Sequence, residues 1–193
     1  MGSVRFGAPT QLIDAIQRQT GADTFIETGT FQGDTAEWAA GQFAHVSTIE
    51  LPGPWYDGSK ERLKNLPAVT LHCGDTREIM RQVVAHLTKP AIFWLDAHWM
   101  GSGPKGKDCE CPVIDEITYI NTSVYVHTIL VDDARYFCKP PPPPHDPAYW
   151  PDLGAVVTHL TAGNRYVYLV DDVIVAVPKL IKDWFVQYLR SLP

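Results

Sequence analysis

Five strand-length apolar runs lie between residues 24 and 131, separated by stretches whose apolar residues fall at helical spacing. The runs cover 24–28, 45–50, 69–73, 91–95 and 126–131, and the helical patterns between them cover 34–43, 58–66, 76–87 and 112–120. Strands that alternate with helices pair in parallel, because each helix carries the chain back across the sheet, and right-handed crossovers place helices on both faces. Ala91-Ile92-Phe93-Trp94-Leu95 contains no charged residue, as a strand covered on both sides requires. A further helix over 9–20, with Leu12, Ile13 and Ile16 on one side, precedes the first run.

The end of the chain breaks this rhythm. After a helix near 152–161, the strands expected at 166–170 and 173–177 are separated only by Asp171-Asp172, a link that joins only antiparallel neighbours. The expected fold is therefore α/β: a single Rossmann-like domain, 1–193, with a mostly parallel seven-stranded sheet, helices on both faces and a C-terminal antiparallel hairpin. A chain of 193 residues suits one such domain. Residues 99–111 and 138–150 read as lid-like loops. The second contains Pro140 to Pro144, expected to form an extended polyproline II connector, with a ligand for a proline-binding module as the alternative.

Composition narrows the partners. A formal charge of -6 with scattered Lys and Arg argues against nucleic acid. No apolar run nears the roughly 20 residues of a membrane span, and residues 1–9 lack a signal-peptide core. Four cysteines, Cys73, Cys109, Cys111 and Cys138, are too few and irregular for a disulfide framework and point to a reducing cytoplasm. Cys109 and Cys111 lack Cys-x-x-Cys spacing, so reduced thiols beside a lid are preferred over structural zinc with His98 and either Cys138 or His145.

In parallel sheets ligands bind beyond the carboxyl ends of the strands, where strand order reverses. The first such end carries Glu27-Thr28-Gly29-Thr30-Phe31-Gln32-Gly33, the second Glu50, and the third Gly74-Asp75. Glycines let backbone approach a ligand, while Glu50 and Asp75 are suited to accept hydrogen bonds from a ribose and an adenine amine. The plainer reading makes these acids helix-start charges favoured by helix dipoles; their recurrence at three successive strand ends favours a nucleoside. The fourth and fifth ends add Asp96, His98, Asp132 and Asp133. Crowded carboxylates call for a neutralising cation, and hard oxygen ligands suit magnesium, manganese or calcium.

On these residues, 24–133 resembles a class I S-adenosylmethionine-dependent methyltransferase, with Glu27 to Gly33 matching the family's first motif. The terminal hairpin is similar to the family's antiparallel seventh strand. The resemblance implies S-adenosylmethionine as cofactor, with Glu27, Thr28, Gly29, Thr30, Phe31, Gly33, Thr35, Glu50, Gly74, Asp75, Thr76 and Asp96 around it. Similarity to metal-dependent, macrocin-type O-methyltransferases further implies Asp96, Asp132 and Asp133 as Mg2+ ligands. A sulfonium methyl is already activated, so the protein must align an acceptor and remove its proton; His98, with Asp96, is the candidate catalytic pair. Alternatively, His98 merely packs with Trp99. The acceptor is expected to be a small molecule or sugar, in a cytoplasmic protein that could be a homodimer. Trp55, Tyr56, Trp99, Phe137 and Trp150 could line its pocket or belong to the core. The rival readings are a nicotinamide-dependent oxidoreductase, disfavoured by the missing Gly-x-Gly-x-x-Gly turn, and a non-catalytic nucleotide-binding domain.

Overall fold

A computed structural model describes residues 7–102 and 109–192. Along the chain the elements are α1 (Thr10–Thr20), β1 (Thr24–Thr28), α2 (Asp34–Ala40), β2 (His45–Glu50), α3 (Pro54–Leu63), β3 (Val69–Cys73), α4 (Thr76–Ala85), β4 (Ile92–Leu95), α5 (Val113–Ile120), β5 (Thr128–Val131), α6 (Ala134–Cys138), α7 (Leu153–Ala162), β6 (Arg165–Val170), β7 (Val173–Pro178) and α8 (Lys182–Ser191). They form one seven-stranded sheet in the order β3-β2-β1-β4-β5-β7-β6. The first five strands pair in parallel, and β7 runs antiparallel to both β5 and β6. The chain builds outward from β1 to β3, then resumes on the other side at β4, so strand order reverses between β1 and β4. That reversal opens a crevice at the carboxyl ends of these two strands.

The sheet is covered on both faces, which explains its apolar central strands: every residue of β1, β4 and β5 is buried. Phe93, Ile129 and Ala176 pack on one side with residues of α4, α5, α6 and α7. Phe25, Trp94 and Val175 pack on the other with residues of α1, α2, α3 and α8. Neighbouring side chains on each strand thus serve opposite cores, the consequence of a two-residue side-chain period.

Three sequence expectations shift. The third helix begins at Pro54 rather than residue 58, because proline fits the first helical turn, where its missing N–H has no partner to lose. The terminal α8, not anticipated, sets Trp184, Phe185, Tyr188 and Leu189 against the second core at the 1-4-5 spacing of an amphipathic helix. Nor is the proline run one straight connector: the chain turns at Pro143-Pro144, which are joined by a cis peptide, and the His145 N–H donates to the Pro142 carbonyl at 3.2 Å. Of the other lid-like loop, residues 103–108 lie outside the described residues.

Candidate active site

A cavity of about 660 Å³ occupies the crevice. Its floor is the turn after β1. Gly29 adopts φ 81°, and a Cβ there would stand 2.3 Å from the Asp96 carbonyl oxygen, so only glycine lets the turn pass the end of β4 this closely. Thr28 ties the two strand ends together, its carbonyl and hydroxyl oxygens both accepting from the Asp96 N–H, at 3.1 and 3.2 Å.

The acidic residues of this end are held by the turn itself. Glu50 accepts the Phe31 N–H at 2.7 Å and the Leu51 N–H at 3.0 Å. Burial raises the Glu50 carboxyl above its ordinary value, and the two amides work against that rise. Glu27 accepts from the Thr48 hydroxyl at 2.6 Å, and Thr48 stands 2.6 Å from the Thr30 hydroxyl. Burial pushes the Glu27 carboxyl up to about 8, so it is largely protonated at neutral pH. The Phe31 ring lies against Trp55, with centroids 4.2 Å apart.

Of the residues expected to hold a cofactor, Glu27, Gly29, Thr30, Phe31, Thr35, Glu50, Asp75, Thr76 and Asp96 line the cavity. Thr28, Gly33 and Gly74 are not among its lining residues. Gly33, at φ 83°, precedes α2 and faces Leu63. Asp75 serves two ends: it faces the cavity and also caps α4, accepting the Arg77 N–H at 2.9 Å and the Arg77 guanidinium at 2.7 and 3.0 Å. Burial works to raise its carboxyl, but the Arg77 hydrogen bonds bring it below the ordinary value. The helix-start reading therefore applies to Asp75 alongside the ligand-facing one.

The cavity also brings together Asp96, His98, Asp132 and Asp133, as the adjacency of β4 and β5 predicts. His98 Nε2 lies 2.8 Å from Asp133 Oδ2, and Nδ1 lies 3.4 Å from Asp96 Oδ1. Burial alone would lower the His98 pKa; the hydrogen bond to Asp133 and the charges of Asp96 and Asp133 outweigh it, and the balance is upward. Burial lifts Asp96 well above the carboxylate range and Asp132, with the charge of Asp133 beside it, to about 6. Asp133 goes the other way: burial is outweighed by the His98 hydrogen bond and by the charges of His98 and Arg135.

These residues do not fit the expected Mg2+ site. Asp133 Oδ1 pairs with Arg135 Nη1 at 2.5 Å while Oδ2 holds His98, and Asp132 Oδ1 accepts the Asp133 N–H at 2.8 Å. Among the described residues no three His, Cys, Asp or Glu side chains form a group able to hold a metal ion, which also leaves the zinc reading of Cys109 and Cys111 without support. Cys109 and Cys111 are unpaired thiols, and burial raises both.

Sequence reasoning missed the residues that organise this part of the cavity. Arg135 also bonds the Asp172 carboxylate from the β6–β7 hairpin turn, a partner 37 positions away that local spacing does not reveal. Glu110, 3% exposed, accepts from the Trp150 indole N–H and the Asp146 N–H, both at 3.2 Å, and lies 3.2 Å from His145 Nδ1. It thereby clips the segment after residue 108 to the segment after the prolines. Trp55 and Trp99 line the cavity as expected; Phe137 and Trp150 are buried and back it, and Tyr56 is not among its lining residues. Tyr136 and His145, not anticipated, complete the wall.

No protein-family model matches the chain, and no curated protein matches it in sequence. Solved structures do match. An O-methyltransferase from Bacillus cereus, in complex with S-adenosylhomocysteine (SAH), superimposes with a TM-score of 0.66 over 92% of this chain and 84% of its own, at 17% identity. The O-methyltransferase TomG from Streptomyces achromogenes, in complex with S-adenosylmethionine, gives 0.59 over 90% and 82%, at 18% identity. CalS10, an amino pentose methyltransferase from Micromonospora echinaspora, gives 0.54 over 86% and 88%, at 14% identity. At such identities the likeness is one of architecture, and it extends over 86% to 92% of this chain. The chain has the Rossmann-like fold of class I S-adenosylmethionine-dependent methyltransferases.

Proposed function

We propose that this protein is an S-adenosylmethionine-dependent methyltransferase acting on a hydroxyl of a small molecule or sugar. The observation that carries the reading is the presence, in one cavity, of a glycine turn with Glu50 and of the His98–Asp133 pair. The turn with Glu50 fits a nucleoside: the passage that only Gly29 allows leaves backbone open to a ligand, and the Glu50 carboxylate, fixed by two amides, faces the place where ribose hydroxyls would donate. When bound, the cofactor supplies an activated sulfonium methyl.

The chain's own residues then have two tasks, alignment and proton removal. With Nε2–H donated to Asp133, the tautomer leaves His98 Nδ1 to take the acceptor proton, and the carboxylate stabilises the resulting imidazolium. Asp96 Oδ1 stands 3.4 Å from that nitrogen and helps orient the ring. Trp99, Tyr136 and His145 enclose the acceptor and exclude water, Trp99 and His145 being held through Glu110. No step is routed through a divalent cation, because both oxygens of Asp133, one of the carboxylates expected to bind it, are engaged by Arg135 and His98. A homodimer in a reducing cytoplasm, with no nucleic-acid partner, completes the proposal. Among the described residues no helix is long and apolar enough to cross a membrane.

The test is calorimetric. SAH is expected to bind the purified protein saturably and nicotinamide dinucleotides are not; the opposite result would replace this reading with the oxidoreductase one.

A further inference from the structure

The carboxylates at the ends of β4 and β5 present a charge problem. Asp132, Asp133 and Asp172 converge on a few ångströms of partly buried space, and like charges there are costly unless a cation stands among them. The chain supplies its own. Arg135, on the first turn of α6, reaches Asp133 Oδ1 at 2.5 Å and also bonds the Asp172 carboxylate, while its backbone N–H donates to Asp172 Oδ1 at 2.9 Å. Its guanidinium lies over the Tyr136 ring, 4.4 Å from the centroid, which fixes its plane. His98 takes Asp133 Oδ2 from the opposite side.

Asp133 is itself locked. Its backbone adopts φ 57°, a left-handed conformation rare for a residue with a side chain, and its N–H is tied to Asp132 Oδ1 at 2.8 Å. Each Asp133 oxygen keeps a second lone pair, but an ion seated there would share the carboxylate with a guanidinium, and the two positive charges would repel across a poorly solvated gap. Mg2+ in particular needs near-octahedral oxygen donors, and these side chains are already turned toward other partners.

We propose that the Arg135 guanidinium, with the His98 ring N–H donating to the other Asp133 oxygen, occupies the place of a divalent cation in this site, and that the protein binds its ligands without a metal there. Arg135 is thus a positioning residue: it holds Asp133, and Asp133 holds His98.

The test uses chelator-dialysed full-length protein, with Mg2+ and Mn2+ as probes in calorimetry and, for Mn2+, in electron paramagnetic resonance, each with and without SAH. Wild-type protein is expected to show no saturable binding of either ion below about millimolar concentration, and its SAH affinity is expected to change by less than about twofold between chelator and added Mg2+. Stoichiometric binding of either ion that is lost in Asp133→Asn would overturn the proposal. The double variant His98→Ala with Arg135→Met exposes both Asp133 oxygens, and should bind Mn2+ about tenfold or more tighter than wild type, or melt lower and regain stability on adding Mn2+. A double variant that melts like wild type and gains no affinity for Mn2+ would also overturn it. Failure of SAH to bind at all would count against the proposed methyl transfer and leave the cation result to stand separately.

Discussion

Asp133 Oδ2 lies 2.8 Å from His98 Nε2, and this one contact orients the only imidazole joined to the β4 and β5 carboxylates among the described residues. As the proposed general base, His98 would contribute roughly 10²–10⁴ in rate. With an acceptor found by screening, His98→Ala is therefore expected to lower kcat by about that factor while SAH affinity stays within about twofold of wild type. Asp133→Asn should give a partial loss, because an amide can present the wrong group to the ring. Unchanged turnover in His98→Ala would move the base elsewhere.

Glu50 gives a prediction elsewhere in the cavity. Its carboxylate accepts from the Phe31 and Leu51 amides and so fixes the turn after β1, besides facing the place proposed for a ribose. Hydrogen bonds to a charged group contribute about 1.5–3 kcal/mol each, so Glu50→Ala is expected to weaken SAH binding by about 10- to 100-fold in calorimetry. A variant binding as tightly as wild type would leave Glu50 a purely structural acid.

The buried Glu27 predicts a pH dependence of stability. Its folded pKa is about 8 against an ordinary 4.5, so the folded state holds a proton that the unfolded state releases. The stabilisation is fully present below the unfolded value and is lost as pH rises through the folded one. Glu116, pushed by burial to about 7, acts in the same direction. Each unit of difference corresponds to about 1.4 kcal/mol, so the melting temperature should fall between roughly pH 5 and pH 8.5. Glu27→Gln keeps an acceptor for Thr48 and cannot ionise. Its melting temperature relative to wild type should therefore rise with pH, and parallel curves would show that Glu27 does not hold the proton.

How much of this was legible in the sequence follows from how local each signal is. The runs at β1, β2 and β3 stand at the residues where they were expected, because short apolar and β-branched runs between helical patterns are a local signal. The two-residue link Asp171-Asp172 sufficed to predict the antiparallel end of the sheet. Strand-end acids were legible as a group, since topology alone brings Glu27, Glu50, Asp75 and Asp96 to one rim. What Asp133 bonds to was not legible: Arg135 is two residues away, yet its role depends on Asp172 arriving from a distant hairpin. Without that partner, three crowded carboxylates read as a metal site. Helix α8 was legible and overlooked, for Trp184, Phe185 and Tyr188 carry its period.

Glu110 was invisible for the same reason as Arg135, and it makes the most demanding prediction. A lone acid in a loop rich in Gly and Lys reads as a solvated charge, but here it is buried and takes hydrogen bonds from Asp146 and Trp150, with His145 beside it, while its carbonyl accepts the Trp99 N–H at 2.7 Å. Removing the carboxylate leaves the Trp150 indole and the Asp146 amide without this acceptor, at a cost of about 1–3 kcal/mol each. For a chain of this size a loss of that order lowers the melting temperature by roughly 5–15 °C. Glu110→Ala is expected to show this drop, Glu110→Gln a smaller one, since its amide oxygen still accepts. The residues proposed to bind the nucleoside lie on β1, β2 and their turns, so SAH affinity should hold within about twofold in both variants. Acceptor KM should rise, because the clipped segments carry His145 on the cavity wall, and kcat should fall as well, because Trp150 packs on His98 with ring centroids 5.6 Å apart. A Glu110→Ala protein that melts with wild type would show that the two segments are held by their aromatic packing instead.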